Sequence, residues 1–169
     1  VQCKTDNPLR GDIGLVRITG LTGLAVDLGQ RLIGSGSYFT HAFIVVDPAQ
    51  DLIIQAQPGG ADFASLRKTV AGRRVVYSDF ALTDKQRYDI AAAAVAMHGT
   101  PYSFVDYAAI GAARLAAYKG LENYVSDSGH EICSQFADLA YKRGGFDLFP
   151  GRIPGDVVPG DIARLIGAK

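Results

Sequence analysis

The run His41-Ala-Phe-Ile-Val-Val46, the link Asp47-Pro-Ala-Gln50 and the run Asp51-Leu-Ile-Ile-Gln-Ala-Gln57 decide the architecture. β-Branched and aromatic side chains fill the first run, and Asp47-Pro48 closes it, which is the signature of a strand. The second run is of the same kind. Two strands joined by so short a link pair as an antiparallel hairpin, and Pro58-Gly59-Gly60 ends it. Alternation places His41, Phe43 and Val45 on one face of the first strand. It places Ile53, Gln55 and Gln57 on one face of the second.

Upstream, Pro8 to Gly11 reads as a turn and Asp12 to Ile18 as a short strand. Leu24, Ala25, Leu28, Leu32 and Ile33 give helical spacing over Thr22 to Ile33, and Gly34-Ser-Gly-Ser37 breaks it. Downstream, Arg73 to Ser78 is a further strand. Thr83-Asp-Lys-Gln86 is a capping box before an Ala-rich helix that runs to about His98 and is stopped by Gly99-Thr-Pro101. A second helical run covers Phe104 to Ala117, followed by a polar loop from Gly120 to His130. A third helix starts near Ile132 and runs through Lys142, with Gly144-Gly145 as its stop. Pro150, Pro154 and Pro159 make the tail irregular, and Asp161 to Ile166 is a short closing helix. Strands early and helices late describe an α+β domain.

The chain has 169 residues, which fits a single domain over 1–169, with 1–10 as an N-terminal extension. Hydrophobic residues make up 48% and charged residues 20%, enough to build a core. Lys and Arg total 17 and Asp and Glu total 17. That balance argues against a polybasic nucleic-acid binder, whose affinity rests on neutralising phosphates. No stretch approaches the ~20 apolar residues of a bilayer span. The two cysteines, Cys3 and Cys133, are too few for a disulfide scaffold or a Cys-rich zinc site. Either they bridge, or one of them is a lone catalytic thiol.

Cys133 opens the third helix, in Glu131-Ile-Cys-Ser-Gln-Phe-Ala137. A thiol there meets the positive end of the helix dipole, which lowers its pKa and favours the nucleophilic thiolate. Backbone N–H groups around Cys133 and Ser134 suit an oxyanion. Free Cys is also among the most buried residue types, so a core role stands beside the reactive one. A thiol nucleophile wants an imidazole base. His41, at a strand end beside a Gly/Ser-rich turn, is well placed for a cleft. His98 suits the C-terminal dipole of its helix, and His130 lies in a polar loop. Gln55, on the paired strand, can accept an imidazole N–H, though a solvated strand face explains it equally.

In this order the motifs resemble the circularly permuted NlpC-like cysteine peptidases. That papain-like group includes YiiX-like proteins and relatives of lecithin:retinol acyltransferase, and in it the His strand precedes the Cys helix. Gly11-Asp-Ile-Gly-Leu-Val16 is similar to the opening GD strand of that family. Thr40-His-Ala-Phe-Ile-Val-Val46 is similar to its His strand and Ile54-Gln-Ala56 to its third-residue segment. Gly99-Thr-Pro-Tyr-Ser-Phe104 is similar to its aromatic turn. Ile132-Cys-Ser-Gln-Phe-Ala-Asp-Leu-Ala140 is similar to its nucleophile helix, and Val158-Pro-Gly-Asp-Ile162 to its closing segment. The resemblance spans Gly11 to Ile162. Gln55 stands where Glu is common, and Phe43 stands where the family usually has Gly.

The resemblance implies a papain-like, permuted NlpC-type fold, with an antiparallel sheet against the helix that bears the nucleophile. It implies Cys133 as nucleophile, His41 as base and Gln55 as the group that orients it. Ser134, Tyr102 and Phe43 would line the substrate or oxyanion site. No metal or organic cofactor is needed. The expected substrate is a peptide, in particular a peptidoglycan fragment, whose amide bond is cleaved. Two rivals remain. One is a lipid acyltransferase or thioesterase, with Phe104 to Ala117 as an apolar wall. The other is a non-catalytic module of a phage or envelope assembly. The compartment is left open.

Overall fold

The computed structural model describes residues 2–19, 36–57, 60–99, 131–152 and 157–168. The expected helix at 22–33, the helix at 104–117 and the polar loop at 120–130 lie outside the described residues. The strands are β1 (Cys3–Lys4), β2 (Ile13–Val16), β3 (His41–Asp47), β4 (Leu52–Gln57), β5 (Gly60–Ser65) and β6 (Val75–Ser78). The helices are α1 (Leu66–Val70), α2 (Asp84–Ala96), α3 (Glu131–Arg143) and α4 (Pro159–Ile166). The strands form one sheet in the order β1-β6-β2-β3-β4-β5, and every neighbouring pair is antiparallel. The α+β class is therefore as the sequence implies.

The hairpin of β3 and β4 forms, with Ile44 opposite Ile54 and Val45 opposite Ile53. Pro58-Gly59-Gly60 does not end the sheet there. The chain turns back, and β5 pairs with β4 from Gln57↔Gly60 to Leu52↔Ser65. The stretch set apart as an N-terminal extension supplies β1, which pairs with β6 through Cys3↔Ser78 and Lys4↔Tyr77. The closing helix begins at Pro159, earlier than Asp161, because proline suits the first helical turn.

Each face of the sheet carries its own core. Ile13, Leu15, Ala42, Ile44, Ile54, Ala56 and Val76 pack with side chains of α2, α3 and α4. Val16, Phe43, Val45, Ile53 and Tyr77 pack with Leu66 of α1 on the other face. The two sets alternate along the strands, as a pleated sheet buried on both sides requires. α2 starts as expected: Thr83 Oγ1 accepts from the Gln86 N–H, and the Gln86 side chain accepts from the Thr83 N–H. α3 ends where Gly144 passes the Ile90 backbone of α2. A Cβ on Gly144 would stand 2.7 Å from Ile90 Cα, so only glycine permits this approach of the two helices.

The Gly11-Asp12 motif is a structural clamp. Asp12 is 1% exposed and takes Lys4 at 2.8 Å and Arg87 at 2.6 Å. Its carboxylate also accepts the Leu9 N–H. Gly11 has φ +79, and a Cβ there would meet the Arg87 carbonyl at 2.9 Å. The Tyr141 hydroxyl donates to the Gly11 carbonyl at 2.6 Å, tying α3 to the start of β2. The cluster adjoins the start of β2, and the Gly11 N–H donates to the Val45 carbonyl of β3 at 2.8 Å. It holds the far end of the sheet and so fixes β2, β3 and α3 relative to one another.

Candidate active site

β3 begins at His41 and β4 ends at Gln57, so His41 and Gln55 stand at one end of the sheet. Both fall on the face of Phe43 and Ile53 by alternation. The His41 Nε2 to Gln55 Oε1 distance is 2.6 Å. An amide oxygen only accepts, so the imidazole carries its proton on Nε2 and Nδ1 is the basic nitrogen. Burial lowers the His41 pKa from its ordinary 6.5; the Gln55 bond opposes this and the charge of Arg73 reinforces it.

Cys133 lies in the first turn of α3, wholly buried in the core on the helix-covered face. Its thiol is nonetheless tied to β3. Backbone N–H groups of Ala42, Ser134 and Cys133 itself act to stabilise the thiolate. Ala42 is the residue after His41. The regular β3–β4 pairing begins only at Ile44↔Ile54. The thiol therefore meets the strand where its pairing with β4 has opened. Helix placement does not produce the low pKa expected from sequence. Burial outweighs the N–H groups and pushes the Cys133 thiol up to about 12, because a thiolate loses more on leaving water than those donors return. Burial thus disfavours both the thiolate and the imidazolium.

Two other expected site residues do different work. Phe43 does not line a cleft. It is fully buried, its ring lies over Gly14 and it meets Tyr77 edge-on at 6.3 Å. The Ser134 hydroxyl donates to the Val157 carbonyl at 2.7 Å, anchoring the segment before α4 to α3. The backbone N–H of Ser134 acts on the thiol. Tyr102 and His130 lie outside the described residues. His98 pairs with Asp62, the cross-strand neighbour of Gln55, at 3.2 Å and stacks on Phe63 at 4.6 Å. Cys3 and Cys133 form no disulfide.

Nothing in the sequence singles out Ala42 or Arg73. Ala42 acts through its backbone, which carries no side-chain signal. Arg73 reaches His41 only because β6 and β3 both flank β2, a register that no local pattern reveals. Among the described residues, no cluster of three or more His, Cys, Asp or Glu side chains is disposed to hold a metal ion. No described helix is long and apolar enough to cross a membrane. Comparison with protein-family models, with curated proteins and with solved structures gave no match.

Proposed function

We propose that the chain is a cysteine hydrolase of papain-like, permuted NlpC-type architecture that cleaves amide bonds in peptides, in particular peptidoglycan fragments. One observation carries the reading. A histidine oriented by a 2.6 Å hydrogen bond to an amide oxygen immediately precedes the residue whose N–H faces the thiol at the start of a helix. The substrate class rests on the resemblance of the ordered motifs.

In this mechanism His41 Nδ1 takes the proton of the Cys133 thiol as sulfur attacks the substrate carbonyl. The tetrahedral oxyanion is held by the backbone N–H of Cys133, with that of Ser134 beside it. The imidazolium then gives its proton to the departing amine, leaving an acyl-enzyme that water hydrolyses. Because burial disfavours both charged partners, the thiolate forms during attack and does not stand ready beforehand. Dyad formation requires the imidazole to reach the thiol around the open start of β3.

The pH dependence of Cys133 alkylation by iodoacetamide tests this, in a Cys3→Ser background. Base assistance makes the rate follow the neutral imidazole. Its acid limb then lies below pH 6.5, since the His41 pKa is lowered. His41→Ala is expected to erase that limb and to slow the reaction at pH 7 by about 10²-fold or more, the ordinary worth of a general base. A profile with one alkaline limb, unchanged in His41→Ala, overturns the reading. Release of amine from purified peptidoglycan peptides then tests the substrate.

A second reading rests on the complete burial of Cys133. In it the thiol is a core side chain and the domain a non-catalytic module, and the unchanged profile is its expected result.

A further inference from the structure

The end of the Gln55 side chain is nearly symmetric in shape but not in chemistry. Its amide oxygen and nitrogen are of similar size, and a half-turn about χ3 exchanges an acceptor for a donor. With Oε1 2.6 Å from His41 Nε2, the ring carries its proton on Nε2 and Nδ1 is the base. With the NH2 in that place, Nε2 of the ring would have to accept, and the proton would move to Nδ1. Nδ1 could then take no proton from a thiol. Which end of Gln55 faces β3 therefore decides the tautomer of His41, and shape alone does not decide it. Gln55 Nε2 has no hydrogen-bond partner among the described residues.

The group placed to decide it is on the next strand. β4 lies between β3 and β5, and Asp62 of β5 is directly opposite Gln55. Directly opposite residues of an antiparallel pair share a face, with Cβ atoms about 4.5–5.5 Å apart. Gln55 thus has an imidazole on its β3 side and a carboxylate on its β5 side. That carboxylate is anchored. Asp62 Oδ1 accepts the Phe63 N–H at 2.7 Å and lies 3.2 Å from His98 Nε2. His98 is itself held at β5 by a bridge with Ala61 and by its stack on Phe63. The adjoining Gly99 N–H donates to the Ala61 carbonyl at 3.0 Å. A negative charge on the β5 side attracts the NH2 end of the Gln55 dipole and repels its oxygen. The oxygen is then left toward β3 and His41.

We propose that Asp62 is a positioning residue for His41: its carboxylate orients the Gln55 amide, and the amide selects the ring tautomer in which Nδ1 is the base. The use of that base in hydrolysis rests on the reading given under Proposed function. The link from Asp62 through Gln55 to the ring does not. The charge that a carboxylate at position 55 would place against the ring stands here one strand away, where it sets orientation from a distance.

Nitrogen NMR shifts of the His41 ring distinguish its two neutral tautomers. They are measured at about pH 8, above the ordinary histidine pKa, where the lowered His41 pKa leaves the ring neutral, and are assigned with His41→Ala. The parent chain is expected to hold mainly the Nε2–H form. Asp62→Asn is expected to shift the tautomer ratio toward Nδ1–H by about threefold, and Asp62→Lys by about tenfold, the scale of a unit charge removed or reversed beside an amide dipole at a partly exposed site. The Asp62 side chain is 68% exposed, so the fold bears both substitutions. In a Gln55→Leu background the same two changes are expected to leave the ratio where it is, because the link is gone. An unmoved ratio in both Asp62 variants overturns the proposal. A shift that persists in Gln55→Leu also overturns it, since the charge then acts without the amide. Cys133 alkylation by iodoacetamide, in Cys3→Ser, separates this from the hydrolase reading. Its rate is expected to fall in Asp62→Lys in step with the Nε2–H fraction. A tautomer shift with no effect of His41→Ala on that rate keeps the role of Asp62 and removes the hydrolase reading. A rate that depends on His41, with an unmoved ratio, keeps the hydrolase reading and removes the role of Asp62.

Discussion

Gln55 holds the imidazole with a neutral amide, where the resembled family commonly has a carboxylate. The amide fixes which nitrogen carries the proton, but it adds no charge to stabilise an imidazolium. His41 is thus left with burial and Arg73 both acting to keep it neutral. Gln55→Glu places a carboxylate at the same 2.6 Å contact. An opposite charge at that range favours the protonated ring by about 1–3 pH units. The acid limb of Cys133 alkylation is expected to move up in pH by about that amount, and the His41 NMR titration with it. An acid limb that stays in place shows that Gln55 does not control the base. The sequence pointed to His41 and Gln55 on paired strands, and the two meet at 2.6 Å. It misassigned Phe43, whose partner Gly14 is distant in sequence and met only in the folded chain.

At the scale of elements, β2 and β3 explain how a phenylalanine occupies the position where the resembled family has glycine. Gly14 is opposite Phe43 across the pair, and a Cβ built on Gly14 would clash with the Phe43 ring, 2.1 Å from Cζ. The glycine has in effect moved to the neighbouring strand, and the ring lies in the space it leaves. The ring fills the core on the α1 face, where full burial of such a side chain contributes about 1.5–3 kcal/mol. Gly14→Ala is therefore expected to destabilise by about 1–3 kcal/mol through overpacking, and Phe43→Ala by about 3–5 kcal/mol through a cavity. Because the methyl can use the space the ring vacates, the double variant is expected to lose at least ~1 kcal/mol less than the sum of the two. Chemical denaturation measures all four corners of the cycle. Additive losses show that the two residues do not share that space.

Element legibility followed signal strength. The capping box of α2 and the β-branched runs of β3 and β4 carried their own evidence. β5, Gly60-Ala-Asp-Phe-Ala-Ser65, has no β-branched residue and forms because β4 offers it an edge. β1 is two residues long and forms because Ser78 and Tyr77 pair with it. Neither has a pattern that exists before the partner strand is in place.

Over the whole molecule, two buried titratable groups pull the acid stability in opposite directions. The His41 pKa is lower folded than unfolded, so the unfolded chain binds that proton more readily. Its contribution is complete above about pH 6.5 and is lost as pH falls below that value. Asp138 of α3 is 2% exposed, and its Oδ1 has no hydrogen-bond partner among the described residues. Burial first, and then the charge of Asp147, push its carboxyl from 3.8 up to about 6, against the pull of Lys142 and Arg152. Here the folded chain binds the proton more readily. The contribution of Asp138 is thus present below pH 3.8 and lost as pH rises through about 6. At neutral pH its ionised form is a net cost to α3. Asp138→Asn removes that cost while keeping shape and polarity. Its melting temperature at pH 7 is expected to rise by about 2–6 °C for a chain of this size, and the gain to vanish near pH 4, where the parent carboxyl is already neutral. The acid loss assigned to His41 persists in this variant and is relieved in His41→Gln, which separates the two groups by thermal melts at pH 4, 5.5 and 7. A gain of equal size at all three values shows that the substitution acts through packing and that the charge of Asp138 does not limit stability.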